Sequence, residues 1–193
     1  MSNYPNWFAM GAQWYFEKHL PAFEDKKVSF LQIGAYTGDA SKWMLENVLT
    51  HEQSTLTDVD TWEGSDEAIH KSFDWSSVED TYNDKVGLYI SNEKLIKFKG
   101  TSNDFFYASG FLHRKYDFIY VDGDHTAAGV LQDGINALEC SADGGIVAFD
   151  DYTWRSGKGP TFDPAPAIDA LMIAYADRFE VIDKGTQVWL RRK

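Results

Sequence analysis

The sequence predicts an α/β fold: a mostly parallel seven-stranded sheet, helices on both of its faces, and an antiparallel hairpin at its C-terminal end. Three observations carry this. From residue 28 onward, short apolar runs alternate with helix-length stretches, the rhythm of crossovers between parallel strands. Those runs are apolar throughout rather than at every second residue, as strands covered on both faces must be. The last two runs, 179–183 and 186–192, are separated only by Lys184 and Gly185, too few residues for a crossover, so they pair antiparallel.

The elements follow in order. NWFAMGAQWYFEKHL (6–20) carries aromatic residues at helical spacings and predicts a helix that ends near Pro21. Its aromatics read as packing residues, with a lid over a site as the other reading. VSFLQIG (28–34) is a strand and DASKWMLENVL (39–49) a helix. STLTDVD (54–60) is the second strand, followed by a polar helical region through Tyr82. KLIKFKG (94–100) is the third strand and NDFFYASGFL (103–112) a helix. YDFIYVDG (116–123), TAAGVLQDGINALEC (126–140) and GGIVAFD (144–150) complete the parallel part as strand, helix and strand.

At 193 residues, 44% apolar and 16% aromatic, the chain is expected to form one domain, residues 1–193, with a helical segment 1–27 before a core of 28–193. Cys140 is the only cysteine, which excludes an internal disulfide and fits a reducing compartment. No charged-then-apolar leader and no apolar run near the ~20 residues of a membrane span is present, so a soluble, cytoplasmic protein without a membrane partner is expected. The net charge of −12 argues against binding nucleic acid, which needs a basic face.

In an open parallel sheet, ligands bind beyond the carboxyl ends of the strands, so the residues that matter sit where each strand stops. The first strand ends in Gly34-Ala35-Tyr36-Thr37-Gly38, where glycines either let the backbone approach a ligand or simply make a tight turn. This GxxxG spacing differs from the GxGxxG of pyrophosphate binders. Asp60 ends the second strand and is placed to accept both hydroxyls of a ribose, or to cap the next helix. Ser102 and Asn103, after the third strand, either cap a helix or border an adenine.

Strands four and five both stop in carboxylates: Asp122, and the pair Asp150-Asp151. Acids so close raise one another's pKa unless a cation lies between them, and oxygen ligands favour magnesium, calcium or manganese. His125, three residues after Asp122, is placed to take a proton from a substrate hydroxyl. WRSGKGPTFDPAP (154–166) reads as a substrate loop or a plain connection, and Trp62 and Trp75 as core residues before stacking platforms.

At these residues the sequence resembles a known family. LQIGAYTGDASKWML, KGTSNDFF, YVDGDH and AFDDY are similar to the cofactor and metal segments of the catechol O-methyltransferase group. VDTWEG, VDGDH and FDDY resemble a broad bacterial and phage class I methyltransferase family still more closely. The resemblance covers residues 28–191 and implies a Rossmann-like class I methyltransferase sandwich that uses S-adenosylmethionine. It implies Gly34 and Tyr36 at the methionine end of the cofactor, Asp60 on the ribose, and Ser102 and Asn103 beside the adenine. Asp122, Asp150 and Asp151 would hold magnesium, with Asp122 also counted to the cofactor site. His125 falls where the catechol enzymes place a lysine general base. The chain departs from that pattern at Gln32, where an acid is usual, and at Ala40, in place of a serine. The implied activity is transfer of a methyl group to a hydroxyl of a small molecule or sugar; metal-independent transfer to another acceptor, or a non-catalytic cofactor-binding module, are the alternatives.

Overall fold

A computed structural model describes residues 4–65, 70–108 and 114–193. The strands β1 (Ser29–Ile33), β2 (Thr55–Asp60), β3 (Leu95–Lys99), β4 (Tyr116–Val121), β5 (Ser141–Phe149), β6 (Phe179–Lys184) and β7 (Val188–Arg192) form one sheet in the order β3-β2-β1-β4-β5-β7-β6. β2 and β3 are parallel, as are β1 with β4 and β4 with β5, while β7 runs antiparallel to both β5 and β6. The mostly parallel sheet and its terminal hairpin are therefore those expected. By proximity the chain groups into two compact units, Met1–Ser29 with Ala35–Thr101, and Phe30–Gly34 with Ser102–Lys193.

In the first unit, the N-terminal helix opens with a wide π turn, Phe8–Ala12, and continues as α1 (Gln13–His19). Pro21 then starts a short 3-10 turn, where its missing N–H costs nothing. The aromatics of this segment divide. Phe16 is fully buried, whereas Trp14 is 59% exposed and Met10 77%. The helices α2 (Asp39–Asn47) and α3 (Trp75–Ser91) follow β1 and β2. α3 begins where Asp74 caps it by accepting from the Ser76 N–H, and it runs on past Tyr82. Met44, Leu56, Val78, Tyr82 and Val86 form this unit's core.

The second unit adds α4 (Ser102–Tyr107), α5 (Ala127–Cys140) and α6 (Ala165–Ala174). The helix expected over 103–112 is shorter among the described residues, and its end at 109–112 lies outside them. α6 was not anticipated, because Pro164, Pro166 and the glycines before them read as connection; a proline is in fact well suited to a helix start. α6 packs against α5 at Gly134, where an added Cβ would lie 2.3 Å from Leu171 Cδ1. Phe30, Phe118, Ile119, Val147, Phe149 and Trp189 are completely buried here. No helix among the described residues is long and apolar enough to cross a membrane.

Candidate active site

Side chains alternate along a strand, so Phe118, Tyr120 and Asp122 share one face of β4 and its extension. Ala148 of β5 is the register partner of Tyr120, which puts Asp150, two residues on, at the same edge. The Asp122 N–H donates to Ile33 O at 2.8 Å and the Asp150 N–H to Val121 O at 3.0 Å, so both aspartates prolong the ladder. Gly34, at the end of β1, adjoins them: its φ is +87°, and a Cβ there would lie 1.9 Å from the Asp122 carbonyl oxygen. Only glycine fits that position.

Alternation alone would send Asp151 away from Asp150. Its φ of +57° breaks the strand and turns its carboxylate back toward Asp122 and His125. Asp122, His125 and Asp151 then offer donor atoms that all lie within 4.8 Å of one another. His125 Nε2 stands 3.0 Å from Asp151 Oδ2 and 3.8 Å from Asp122 Oδ1. Asp150 is not part of that group. Its Oδ2 accepts from the Tyr120 hydroxyl, and its Oδ1 accepts the Asp151 N–H at 2.7 Å.

Burial pushes the Asp122 carboxyl well above its ordinary range, the Asp150 charge adds to the rise, and His125 opposes it. Asp150 is raised too, by burial first and then by Asp151. Such a cluster calls for a positive charge. The side chains of Asp122 and Asp151 keep 31% and 30% of their surface open, so an ion could reach them. A divalent cation with ligands at ~2.1 Å needs them ~3–4 Å apart; the two His125 separations, 3.0 and 3.8 Å, fall in that range, and all three donors lie within 4.8 Å of one another. The two carboxylates suit magnesium or manganese, whereas an imidazole in the coordination shell would favour a softer ion than magnesium. The Trp154 ring lies 5.3 Å from the His125 ring, and the Trp154 backbone N–H donates to Asp151 O at 3.0 Å, so the loop after β5 forms a wall beside the cluster. In that loop Arg155 donates to the carbonyls of Tyr152 and Trp154.

In the first unit, Asp60 organises the loop after β1. Its Oδ2 accepts the N–H groups of Ala35 and Tyr36 at 2.7 and 2.9 Å, and its Oδ1 that of Trp62 at 2.7 Å. One acceptor position on Oδ1 is left beyond these bonds. Tyr36, at φ +47°, stacks on Trp7 at 4.5 Å in a cluster with Tyr4, Phe73 and Trp75. Trp62 is 3% exposed and donates from Nε1 to Tyr36 O, a core role. In the second unit, Gln32 is buried and its amide donates to Gly34 O at 2.9 Å, bracing the turn that an acid could not brace in this way. Ala40 is buried in α2.

Ser102 opens α4 and does not cap it: its hydroxyl donates to Asp133 Oδ1 of α5 at 2.5 Å. Asp133 is buried, which pushes its carboxyl up to about 6. Asn103, next to it, is exposed.

The profile of a family described as a methyltransferase domain matches residues 31–152. The chain belongs to this family. By family and fold it is an S-adenosylmethionine-dependent methyltransferase of class I. A search of curated proteins gave no match. Among solved structures, the chain is similar to an O-methyltransferase from Bacillus cereus in complex with S-adenosylhomocysteine, at 14% identity and a TM-score of 0.62 over 100% of this chain and 93% of that one. It is also similar to an rRNA methylase from Streptococcus thermophilus, at 10% identity and a TM-score of 0.60 over 92% and 94%. A third is the MycE methyltransferase of the mycinamycin biosynthetic pathway in complex with Mg and S-adenosylhomocysteine, at 14% identity and a TM-score of 0.60. There the match spans 92% of this chain and 48% of the other. At these identities the likeness establishes the fold.

Three side chains of this methyltransferase's acidic edge escape a reading of strand ends: Tyr120, Gln187 and Trp154. Tyr120 was signalled by its i, i+2 relation to Asp122, which puts both on one face. Trp154 opens the segment 154–166 that reads as a substrate loop or a plain connection, while nothing local marks Gln187, because its relation to the cluster is made by tertiary contacts.

Proposed function

We propose that this methyltransferase, working as one domain, transfers the methyl group of S-adenosylmethionine to a hydroxyl of a small molecule or sugar, assisted by a divalent cation. The convergence of Asp122, His125 and Asp151 carries the reading. Asp122 and Asp151 would hold the cation, with Asp150 behind them. A bound cation supplies Lewis acidity that lowers the pKa of an acceptor hydroxyl. The His125 imidazole takes that proton, and the two carboxylates facing its Nε2 stabilise the imidazolium that results. Trp154 shields this side of the cluster from water and gives the acceptor a flat surface. Asp60 keeps one acceptor position for a ribose hydroxyl, while Gly34 and Tyr36 serve the methionine end, Ser102 and Asn103 the adenine, and Asp122 the cofactor edge of the cation site.

An rRNA methylase stands among the similar structures, but a net charge of −12 speaks for a small acceptor over a polyphosphate one. The test uses a panel of hydroxylated acceptors with and without chelator, in wild type and in His125→Gln. The expected outcome is activity lost on chelation and restored by Mg²⁺ or Mn²⁺. His125→Gln is expected to slow turnover by roughly 10²–10⁴-fold with S-adenosylhomocysteine affinity unchanged. Activity indifferent to chelator would sink the metal-assisted reading. Because His125 stands within the ligand-spaced trio, a second reading makes it a ligand; loss of Mn²⁺ affinity in His125→Gln would select that role.

A further inference from the structure

Beneath the acidic cluster lies a chain of buried hydrogen bonds. Trp189 Nε1 donates to Gln187 Oε1 at 2.8 Å, Gln187 Nε2 donates to the Tyr120 hydroxyl oxygen at 3.2 Å, and the Tyr120 hydroxyl donates to Asp150 Oδ2. Trp189 and Gln187 are both 0% exposed and Tyr120 is 1%. The strands explain how side chains from β4 and from the start of β7 meet. Tyr120, Ala148 and Trp189 are successive register partners across β4, β5 and β7, so their side chains share a face. The small Ala148 between them lets groups two strands apart touch. Gln187, two residues before Trp189, lies on that face as well.

The direction of the chain is set by chemistry. An indole N–H can only donate, so the Gln187 atom facing it must be the carbonyl oxygen. That orientation turns the Gln187 NH₂ toward Tyr120 and, beside it, Asp150; the Tyr120 oxygen accepts, so its proton must point elsewhere. It goes to Asp150, whose Oδ2 accepts it. The other oxygen of Asp150 accepts the N–H of Asp151, the residue whose positive φ brings its carboxylate to Asp122 and His125.

We propose that Trp189, Gln187 and Tyr120 form a one-way donor relay that fixes Asp150 as an internal acceptor and, through it, the position of Asp151. Gln187 and Tyr120 are thus positioning residues for the acidic site. The consequence for cation affinity rests on the metal-assisted reading above; the consequence for Asp151 does not.

The test compares wild type with Tyr120→Phe, Gln187→Leu and Gln187→Glu in two measurements on the whole protein. The first, in metal-free buffer, follows the Asp151 backbone amide by NMR. The second titrates Mn²⁺ alone by electron paramagnetic resonance. Tyr120→Phe removes one oxygen and should shift the Asp151 amide, speed its hydrogen exchange about tenfold, and weaken Mn²⁺ binding about tenfold. Gln187→Glu fills nearly the same volume but replaces the donor to Tyr120 with an acceptor, so it should act like Tyr120→Phe, which a pure packing role would not predict. An Asp151 amide unchanged in folded Tyr120→Phe overturns the relay. If the Gln187 variants fail to fold, Tyr120→Phe decides alone. Should wild type take up no Mn²⁺ while the amide responds as expected, the relay stands and the metal reading falls.

Discussion

Gly34 shows how little latitude a single residue has at the strand end. A Cβ there would collide with the Asp122 carbonyl oxygen at 1.9 Å, and φ is +87°. Backbone on backbone leaves no rotamer to absorb the clash, so Gly34→Ala should cost on the order of 3 kcal/mol or more, read as a fall in the urea midpoint. A variant as stable as wild type would mean that the two strand ends stand farther apart. Asp58 offers a different test. It is fully buried in β2 and accepts the Tyr82 hydroxyl at 2.8 Å, and burial pushes its carboxyl from 3.8 up to about 7. The native state therefore holds this proton more tightly than the unfolded chain. Stability conferred by the neutral acid is present at low pH and lost as pH rises from about 4 through 7, the reverse of a paired carboxylate. Wild type should lose about 1–3 kcal/mol across that window relative to Asp58→Asn. Parallel stability curves for the two proteins between pH 5 and 8 would refute this.

At the level of elements, α5 positions His125. Asp124 accepts the Thr126 N–H at 2.7 Å, and the Thr126 side chain caps the helix by accepting the Gly129 N–H at 3.1 Å, so His125 lies between a side-chain turn and the cap. Thr126→Ala should cost about 1 kcal/mol in chemical denaturation, and Thr126→Ser should recover most of it. Equal losses in the two variants would assign the effect to the threonine methyl. The strands and the hairpin were legible because covered parallel strands are apolar throughout and two residues cannot make a crossover. α6 was not legible, since prolines that open a helix look like prolines that forbid one. The carboxylate edge was legible from where β4 and β5 stop, but the division of labour within it was not. Which of Asp150 and Asp151 turns outward depends on a positive φ at a non-glycine residue, and no spacing announces that. Ser102 likewise read as a cap, while the buried Asp133 that takes its hydroxyl comes from a helix some thirty residues on.

For the whole molecule, the net charge of −12 and the acidic edge make separable demands on cations. The diffuse charge attracts any cation weakly and is screened by salt over about a Debye length. The Asp122–His125–Asp151 group, with donors within 4.8 Å, would bind a divalent ion at one point and saturate. Binding to the native state alone at a hundred times Kd adds ~2.7 kcal/mol of stability. For a chain of this length that corresponds to about 5–10 °C in Tm. Thermal melts in MgCl₂ should therefore rise to a plateau, while KCl at matched ionic strength gives only a small, non-saturating change. In Asp122→Asn/Asp151→Asn the plateau should vanish. Without metal that variant should also melt higher than wild type, because it removes a carboxylate that burial, and then repulsion from its neighbours, penalises. A magnesium response of the same size in wild type and double variant would mean that the ion reads only the diffuse charge.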